Sequence, residues 1–437
     1  MEIRDVIHGN IEVSSSEAKI IDSPFFQRLR NIKQLGFAEN SYPGATHNRY
    51  IHSLGATHLA GLAFKNAFRG KDHPLAQQPK VAERFRMALR IATMLHDIGH
   101  GPLSHTTEFA MPGIEKLELR SLACIPGKPC PFDGNRRANH EDYTIKIILQ
   151  SSLTPLLKKT LSRWDIDPIH VACIINEDIV CPDDFFIVDG KDGKVDYRPI
   201  LHQIVSSEMD VDRMDYLTRD SFHAGVNYGK FDVSWVLSNL THHIFRGKCY
   251  LALQHKAIYT FDDFLISRFH MFLMVYFHHK SVIFDEMLGR YLRSSDCDYE
   301  IPSDVESYVF YDDYHLYTHL SRSKNSWAKR IYHKNPYKML VEFHSGIPQG
   351  SENAREQKAH LEKVTAELAA KGVDYIVKTT TSEFSKYFKK DDRMPIFVRY
   401  DNKVLPEKFI PLEECTDLFE RYSKNRSITR VYVPEIP

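Results

Sequence analysis

The chain has 437 residues, and its 57 Lys and Arg balance its 57 Asp and Glu, so the formal net charge is zero. With 43% hydrophobic and 26% charged residues, the composition is typical of a soluble globular protein of two or three structural units. Zero net charge argues against coating of nucleic acid by long-range attraction, so a nucleic-acid partner is not expected. The 23 histidines point to metal binding and proton transfer, because histidine is the commonest metal ligand and titrates near neutral pH.

The N-terminal residues are charged where a secretory signal would need an apolar stretch. The longest apolar run, from Met271 to Phe277, is far shorter than the roughly 20 residues that a membrane-spanning helix requires. We therefore expect a cytoplasmic protein with no membrane partner. Seven cysteines without a CxxC pair favour free thiols over a zinc knuckle.

Hydrophobic periodicity predicts helices along most of the chain before residue 300. Residues 1–35 are expected to form a short extended segment and a helix that begins near Pro24. Further helices are predicted at 52–70, 80–100, 139–163, 166–177, 199–221 and 260–294. The Pro- and Gly-rich stretch 111–137 is typical of a loop or insertion, and Asp189–Gly193 is typical of a turn.

Beyond about residue 300 the pattern changes to short helices alternating with β-rich runs. A helix is predicted near 352–371, and strands at Val373–Thr380, Ile396–Tyr400 and Thr429–Val433. The predicted fold class is therefore mainly α, with a helical body at 1–300 and a smaller α+β C-terminal region at 301–437.

The segment from Leu95 to Glu108 is the richest in potential metal ligands. His96 and His100 are one helical turn apart and share a face, and Pro102 ends or kinks the helix just after them. A single His96-Asp97 dipeptide is more often a surface or capping feature. Combined with His52 and with the carboxylates near residue 212, it suits a borderline divalent ion held by N and O donors. The residues alone leave Asp210, Asp212 and Asp215 open as the fourth ligand.

Two further patterns indicate phosphoester chemistry. His105 and Glu108 lie three residues apart and meet if a new helical turn begins after Pro102; a histidine of near-neutral pKa protonates a leaving oxygen, and a nearby carboxylate favours its charged form. Arg213, Tyr216 and Asp220 fall on one helix face and would offer a cation, a ring and a carboxylate to a nucleotide. A solvated helix face is the alternative interpretation of this second pattern.

The order of these motifs resembles that of the HD-domain phosphohydrolase superfamily, and more closely its dNTP triphosphohydrolase branch, which includes SAM- and HD-domain dNTPases and bacterial relatives. The resemblance covers about residues 2–290 and is carried by the histidine cluster and by five other segments: Asp5–Gly9, Phe26–Gly36, Pro43–Gly55, Asp210–Asp220 and Val275–His278. It implies an HD-domain helical core at 1–300.

The resemblance also implies roles for individual residues. The implied metal ligands are His52, His96, Asp97 and Asp212, the family's Asp-Val-Asp pattern favouring the second carboxylate. The positions implied in catalysis are His100, His105, Glu108 and His140, with His105 as the proton donor; Glu108 stands where the family often carries Asp. A solvated histidine at a helix start is the alternative for His140.

The implied substrate-binding residues are Gln34, Leu35, Arg49, Arg213, Tyr216, Asp220, Arg268 and Tyr276. Of these, the three arginines would contact phosphates and the others would surround the deoxyribose and the mouth of the site. A regulatory guanine nucleotide is implied at Asp22, Gln27 and Arg30, although a capping Asp22 beside an amphipathic helix explains this trio equally well.

The expected function is metal-dependent hydrolysis of deoxynucleoside triphosphates to deoxynucleoside and triphosphate. Water attacks the α-phosphorus while His105 protonates the departing 5′-oxygen. The expected cofactor is one divalent ion (Mn, Fe, Zn, Ni, Co or Mg), with Mg also accompanying the triphosphate. The alternatives are an HD phosphodiesterase or nucleotidase acting on another nucleotide, and a non-catalytic nucleotide-sensing regulator. A homo-oligomer, dimer or tetramer, with a nucleotide activator is also expected.

Overall fold

The computed structural model of the chain describes residues 1–70, 73–122, 124, 130–190, 193–344, 352–382, 394–402, 404, 406–418 and 426–435. These residues form a mainly helical protein with small β-sheets, which confirms the predicted fold class. Within these ranges, no helix has the length and apolar character needed to cross a bilayer.

The helical body contains twelve described α-helices before residue 300. They are α1 (Ser15–Ile21), α2 (Pro24–Gln27), α3 (Arg49–Ala67), α4 (Pro79–Leu95), α5 (His140–Gln150), α6 (Leu153–Leu161), α7 (Pro168–Ile175), α8 (Arg198–Val205), α9 (Val211–Ala224), α10 (Val233–Ser238), α11 (Ile258–Met271) and α12 (His279–Leu292). Helix α3 packs against both α4 and α9. It is buried on most of its surface, so it forms the centre of the body and carries His52 into the interior.

Several predicted helices are shorter or broken in the structure, and polar side chains cap two of the new helix starts. The helix predicted at 80–100 ends at Leu95. The one predicted at 199–221 is divided into α8 and α9, and the Asp210 carboxylate caps α9 by accepting the Arg213 N–H. The one predicted at 260–294 is interrupted by a π-helical turn at Phe272–Tyr276, after which the His278 side chain caps α12. The one predicted at 139–163 is divided into α5 and α6.

The strands form three sheets among the described residues. Their bounds are β1 (Glu2–Asp5), β2 (Gly9–Glu12), β3 (Ile187–Gly190), β4 (Gly193–Asp196), β5 (Leu240–Phe245), β6 (Lys248–Gln254), β7 (Lys338–His344), β8 (Ile376–Ser382), β9 (Phe397–Tyr400), β10 (Lys408–Pro411) and β11 (Arg426–Val433). The orders are β1-β2, β10-β9-β6-β4-β3 with β5 on β6, and β7-β11-β8. The turn predicted at 189–193 joins the antiparallel pair β3 and β4; residues 191 and 192 lie outside the described residues.

The C-terminal region contains short helices as well as strands, as predicted. The helices are α13 (Val305–Tyr308), α14 (Asp313–Arg322), α15 (Ser326–Tyr332) and α16 (Glu352–Ala370). Strand β9 pairs in parallel with β6, and α15 packs against α12. The region therefore adds both a strand and helices to elements of the helical body, and the boundary near residue 300 stays a prediction.

The stretch predicted as a loop or insertion at 111–137 contains the short 3₁₀ helix Ile114–Leu117, with residues 123 and 125–129 outside the described part. The expectation that all cysteines are free thiols is wrong for two of them, since Cys124 and Cys130 form a disulfide bond. Their Cα atoms are 5.5 Å apart, a distance that a disulfide requires and that sequence spacing does not give.

Candidate active site

Four side chains from three helical segments converge beside α3. His52 lies on α3, His96 and Asp97 follow the end of α4, and Asp212 lies in the first turn of α9. The Nε2 atom of His52 is 3.0 Å from Asp212 Oδ1 and 3.6 Å from Asp97 Oδ2. The Nε2 atom of His96 is 3.4 Å from Asp97 Oδ1 and 3.4 Å from Asp212 Oδ1. Two imidazoles and two carboxylates thus face one point.

The hydrogen bonds on the far side of each imidazole favour metal binding. His52 Nδ1 donates to Asp215 Oδ2 at 2.8 Å, and His96 Nδ1 donates to the Thr93 carbonyl at 2.6 Å. Each Nδ1 therefore holds a ring proton, so Nε2 is the nitrogen available to a metal ion. Both Nε2 atoms are buried and have no hydrogen-bond partner in the described part of the chain. Two such nitrogens facing two carboxylates fit a divalent transition metal.

The electrostatics of the cluster lead to the same conclusion. Burial lowers the pKa of His52 and of His96, but the neighbouring carboxylates outweigh it and raise the pKa values to about 10 and about 9. The cluster therefore has an excess of negative charge that favours a cation at its centre. Without an ion, protons on the two imidazoles supply that charge; a divalent ion would replace the protons on Nε2.

Asp210, Asp212 and Asp215 were the three candidates for the fourth metal ligand. Of these, only Asp212 faces the Nε2 atoms of His52 and His96. Asp215 is fully buried behind His52, where it accepts hydrogen bonds from Arg219 Nε and Nη2 at 2.8 Å each and from His8 Nε2 at 2.6 Å. Asp210 accepts from the Arg213 backbone at 2.8 Å and from Arg213 Nη1 at 2.7 Å. Its carboxylate is therefore engaged in capping α9.

Three histidines and one glutamate form a second cluster next to the first. The His100 and His140 rings stack with centroids 3.8 Å apart, and the His105 ring lies 4.8 and 4.9 Å from them. Glu108 Oε1 accepts from His140 Nδ1 at 2.6 Å and from His105 Nδ1 at 3.2 Å. The segment Ser104–Ala110 is a 3₁₀ helix, in which side chains three residues apart lie on the same side. This turn brings His105 and Glu108 together.

The histidines of this second cluster differ in environment. His100 is buried, and burial together with the Arg49 guanidinium and His140 holds its pKa well below the usual value, so the ring is neutral. The His105 side chain is 67% exposed and is the accessible member of the cluster. Burial raises the pKa of Glu108, but hydrogen bonds from His105 and His140 outweigh it and lower the pKa, so this carboxylate stays ionised.

A cavity of about 580 Å³ opens in front of both clusters. Among its lining residues are thirteen of the sequence-predicted ones: Gln34, Leu35, Arg49, Asp97, His100, His105, His140, Asp212, Arg213, Tyr216, Asp220, Arg268 and Tyr276. The predicted residues His52, His96 and Glu108 do not line the cavity, but each contacts a side chain that does. Two candidate metal ligands, three histidines and three arginines therefore share one cavity.

The three arginines are held in place by carboxylates. Arg49 Nη1 donates to Asp97 Oδ2 at 2.5 Å and its Nε donates to Ser104 Oγ at 2.8 Å. Arg213 pairs with Asp210 as described above, and Arg268 Nη1 lies 3.5 Å from Glu208 Oε1. Fixed guanidinium groups are suited to binding phosphate, because their planar donors are already oriented.

The turn that leads into the 3₁₀ helix is unusual, since Leu103 and Ser104 both have left-handed backbone conformations with φ of 53° and 59°. Asp313, at the start of α14, stabilises this turn. Its Oδ1 accepts the Leu103 N–H at 2.7 Å and its Oδ2 accepts the Lys33 N–H at 3.0 Å. The C-terminal region thus supports the two segments that carry Gln34 and His105.

A family model described as "HD associated region" matches residues 237–383. An uncharacterized protein from Methanocaldococcus jannaschii is 30% identical over 348 residues, which cover 78% of this chain and 59% of that protein. Deoxynucleoside triphosphate triphosphohydrolase SAMHD1 from Homo sapiens is 33% identical over 230 residues, which cover 51% of this chain and 33% of that protein. These similarities support an HD-domain, dNTPase-like family for the chain. It spans between a third and about three fifths of the length of these two relatives.

A crystal structure of a hypothetical protein from Aquifex aeolicus matches the fold of this chain. The TM-score is 0.71 at 24% sequence identity, and the match covers 99% of this chain and 96% of that one. This likeness shows that the two proteins share a fold along nearly their whole length.

The sugar-binding corner predicted from the HD-family resemblance includes one residue that sequence reasoning did not select. Asp220 Oδ2 accepts from the Tyr276 hydroxyl at 2.8 Å, and Asp220 Oδ1 lies 2.7 Å from Nε2 of the buried His47. His47 stands two residues before Arg49 within the Pro43–Gly55 motif. That position was the only sequence signal for it.

The predicted regulatory trio lies outside the cavity. Arg30 Nε donates to Gln27 Oε1 at 2.8 Å, and the Arg30 guanidinium lies 3.6 Å from the centre of the Tyr50 ring. Gln27 Nε2 donates to the Ile21 carbonyl at 2.8 Å, and Asp22 is exposed at the end of α1. These local contacts account for Gln27 and Arg30, and the regulatory role stays a prediction.

Proposed function

We propose that this chain is a metal-dependent phosphohydrolase that converts deoxynucleoside triphosphates into deoxynucleosides and triphosphate. One observation carries the proposal: the free, buried Nε2 atoms of His52 and His96 face Asp97 and Asp212, and these two carboxylates line the cavity that also contains the arginines. The substrate class comes from the similarity to SAMHD1 and from this combination of metal ligands and cations.

The ion would be held by His52, His96, Asp97 and Asp212, and when bound it would polarise a phosphate oxygen and activate a water molecule. The chain itself supplies the remaining charge. Arg49, Arg213 and Arg268 bind the phosphates and stabilise the negative charge that develops during transfer. Three guanidinium groups and a divalent ion offset the roughly four negative charges of a triphosphate.

His105 acts as the general acid. Its side chain is exposed to the cavity. Glu108 accepts a hydrogen bond from its Nδ1, so Nε2 is the atom that donates a proton to the departing 5′-oxygen. Glu108 also binds His140, so one carboxylate orients two imidazoles. His100 is neutral and lies between the two groups. Its ring stacks on that of His140, and its Nε2 is 3.2 Å from Oδ1 of the proposed metal ligand Asp97.

The deoxyribose lies against the corner formed by Asp220 and Tyr276. The Asp220 carboxylate accepts a hydrogen bond from the 3′-hydroxyl, to which Gln34 also contributes. The Tyr216 and Tyr276 rings, with centroids 6.4 Å apart, border this corner. A ring packed against C2′ leaves no room for a 2′-hydroxyl and selects the deoxy sugar.

The experiment is to incubate the purified chain with each dNTP and either Mn²⁺ or Mg²⁺, and to separate the products by anion-exchange chromatography. Release of triphosphate and deoxynucleoside supports the proposal. Release of a nucleoside monophosphate, or of inorganic phosphate only, supports a phosphodiesterase or nucleotidase. Binding without turnover supports a nucleotide-sensing regulator.

Two variants separate the proposed roles. His96→Ala should lose the bound metal, whereas His105→Ala should keep the metal and lose turnover. His333→Ala, on an exposed surface away from the cavity, is the matched control and should behave like the wild type. Full activity of the His105 variant would contradict its role as general acid.

A cytoplasmic location, a dimer or tetramer, and activation by a nucleotide at Asp22, Gln27 and Arg30 complete the proposal. Sedimentation analysis with and without a guanine nucleotide tests the assembly. An unchanged sedimentation coefficient together with unchanged activity would contradict activation.

A further inference from the structure

One wall of the cavity carries polar groups that the proposed reaction does not use. Asp285 and Ser281 lie on α12, and Thr106 lies on the 3₁₀ segment that also carries His105. All three line the cavity. They are neither metal-ligand candidates nor members of the histidine cluster. None of them is hydrogen-bonded to Asp220, whose partners are His47 and Tyr276.

Asp285 offers an acceptor to the cavity. Thr106 Oγ1 donates to Asp285 Oδ1 at 2.8 Å, and the described residues provide no hydrogen bond to the second carboxylate oxygen. Burial raises the pKa of Asp285 to about 6, against the opposing effects of Thr106 and Lys378. The side chain is therefore ionised at pH 8, where it accepts hydrogen bonds and donates none.

Ser281 provides a second, independent sign of a ligand. The residue is 5% exposed, and its hydroxyl has no hydrogen-bond partner within the described ranges. It stands one helical turn before Asp285, so both side chains lie on the same face of α12. A buried hydroxyl is costly unless it is paired, and a ligand in the cavity would supply the missing partner.

The remaining lining of this wall suits a flat ring. Leu35, Gly36 and Ala38 also border the cavity and present small or apolar surface. In the proposed complex the arginines bind the phosphates and Asp220 binds the sugar, so the base is the part of the nucleotide left for this wall. An apolar surface with a few polar groups is the usual composition of a ring-binding site.

We infer that Asp285, positioned by Thr106 and assisted by Ser281, is a specificity-determining residue that accepts a hydrogen bond from the exocyclic amino group of the base. The inference rests on the proposed function and deepens it. Adenine, cytosine and guanine carry an amino group on the edge that pairs with another base, whereas thymine and uracil carry carbonyl oxygens on either side of one N–H. A carboxylate attracts the first kind of edge and repels the carbonyls of the second.

The most direct probes are dCTP and dUTP, because their bases differ in having an amino group or a carbonyl at C4 and in the protonation of N3. At pH 8 the wild-type chain should prefer dCTP by about tenfold or more in kcat/KM, because the Asp285 carboxylate meets an amino donor at C4 of cytosine and a repelling carbonyl oxygen at C4 of uracil. Asp285→Asn keeps the size of the side chain and adds a donor. This variant should reduce the ratio to about threefold or less, by losing dCTP turnover and gaining dUTP turnover.

The matched control is Glu286→Gln, which changes a neighbouring carboxylate on the same helix. Glu286 pairs with Lys378 and Arg290 and does not line the cavity, so the dCTP to dUTP ratio should stay at the wild-type value. Equal kcat/KM of the wild type for the two substrates would overturn the inference, as would an Asp285→Asn variant that keeps the wild-type ratio.

A binding measurement separates failure of this inference from failure of the proposed function. Calorimetric titration of dCTP and dUTP in Ca²⁺ reports base discrimination even if neither nucleotide is hydrolysed. Absence of turnover with tighter binding of dCTP, lost in Asp285→Asn, would refute the proposed reaction and support the base subsite. Equal binding of both nucleotides would refute the subsite whatever the turnover.

Discussion

Replacing Asp215 with Asn should perturb the proposed metal centre without replacing any of its proposed ligands. Asp215 Oδ2 accepts a hydrogen bond from His52 Nδ1 at 2.8 Å. This bond keeps a proton on Nδ1, so that Nε2 is the nitrogen that an ion would bind. An Asn side chain is able to turn its NH₂ group toward His52, because an amide both donates and accepts. The ring proton would then move to Nε2 and block the metal-binding nitrogen.

The substitution should have two separate effects. Loss of such an orienting partner lowers metal affinity by about 10–100-fold, equivalent to about 1.4–2.7 kcal/mol. Stability also falls, because Arg219 donates two hydrogen bonds to Asp215 and both side chains are fully buried. Breaking a buried pair costs about 3–5 kcal/mol. Asp5 still contacts Arg219 Nη1 at 2.8 Å, so we expect a loss at the lower end, about 3 kcal/mol.

The assay combines calorimetric titration of the metal-free protein with Mn²⁺ and thermal unfolding of the apo form. Asp298→Asn is the control, since that side chain is 85% exposed and its loss should leave both measurements unchanged. An Asp215→Asn variant that folds and binds Mn²⁺ with the wild-type affinity would refute the argument that Asp215 fixes the His52 tautomer.

Three further predictions concern packing, pH and metal loading. A Cβ on Gly99 would lie 2.1 Å from the His140 carbonyl oxygen, so Gly99→Ala should destabilise the fold by about 1–3 kcal/mol in chemical denaturation; an unchanged midpoint would contradict this contact. Burial raises the pKa of Asp313 from 3.8 to about 6, so between these pH values the folded state keeps a proton that the unfolded chain loses. The contribution of Asp313 to the unfolding free energy should therefore fall by about 2.4 kcal/mol as the pH rises from 4 to 7, and urea titrations of Asp313→Asn should lack this change. Mn²⁺ at about 100 times its Kd should stabilise the metal-free protein by about 2.7 kcal/mol through mass action, and His52→Ala should remove this effect in thermal unfolding.

The helical character of the chain was predictable because apolar residues recur at helical spacing, and the positions of the helix breaks were harder to predict. The break before α9 depends on the Asp210 carboxylate turning back to the Arg213 N–H. The π-helical turn at Phe272–Tyr276 contains no Pro or Gly from which a break in the helix could be predicted. Capping and local unwinding are decided by tertiary packing, which a hydrophobic pattern does not contain.

The order of the motifs predicted most of the residues that line the cavity. It did not predict the side chains that form hydrogen bonds with them. His47 and Asp285 were ordinary polar residues, and Asp215 was only an alternative fourth metal ligand, until their burial and hydrogen bonds were known. The pairs they form are distant along the chain, as between Thr106 and Asp285 or between His47 and Asp220. The disulfide between Cys124 and Cys130 escaped prediction for a related reason, since chain spacing does not fix Cα separation.

The role of the C-terminal region follows from Asp313. Two consecutive non-glycine residues in the left-handed region are costly and persist only when their surroundings hold them. Asp313 does this for Leu103 while also binding the Lys33 N–H, and Ser104 joins the same network by accepting from Arg49 Nε and donating to the Lys33 carbonyl. Displacement of α14 would therefore release the segments that present Gln34 and His105, and it would free Arg49 from one of its two anchors. The geometry of the cavity thus depends on a helix that contributes no lining residue to it, so changes in this region should alter turnover without changing any group that contacts the substrate.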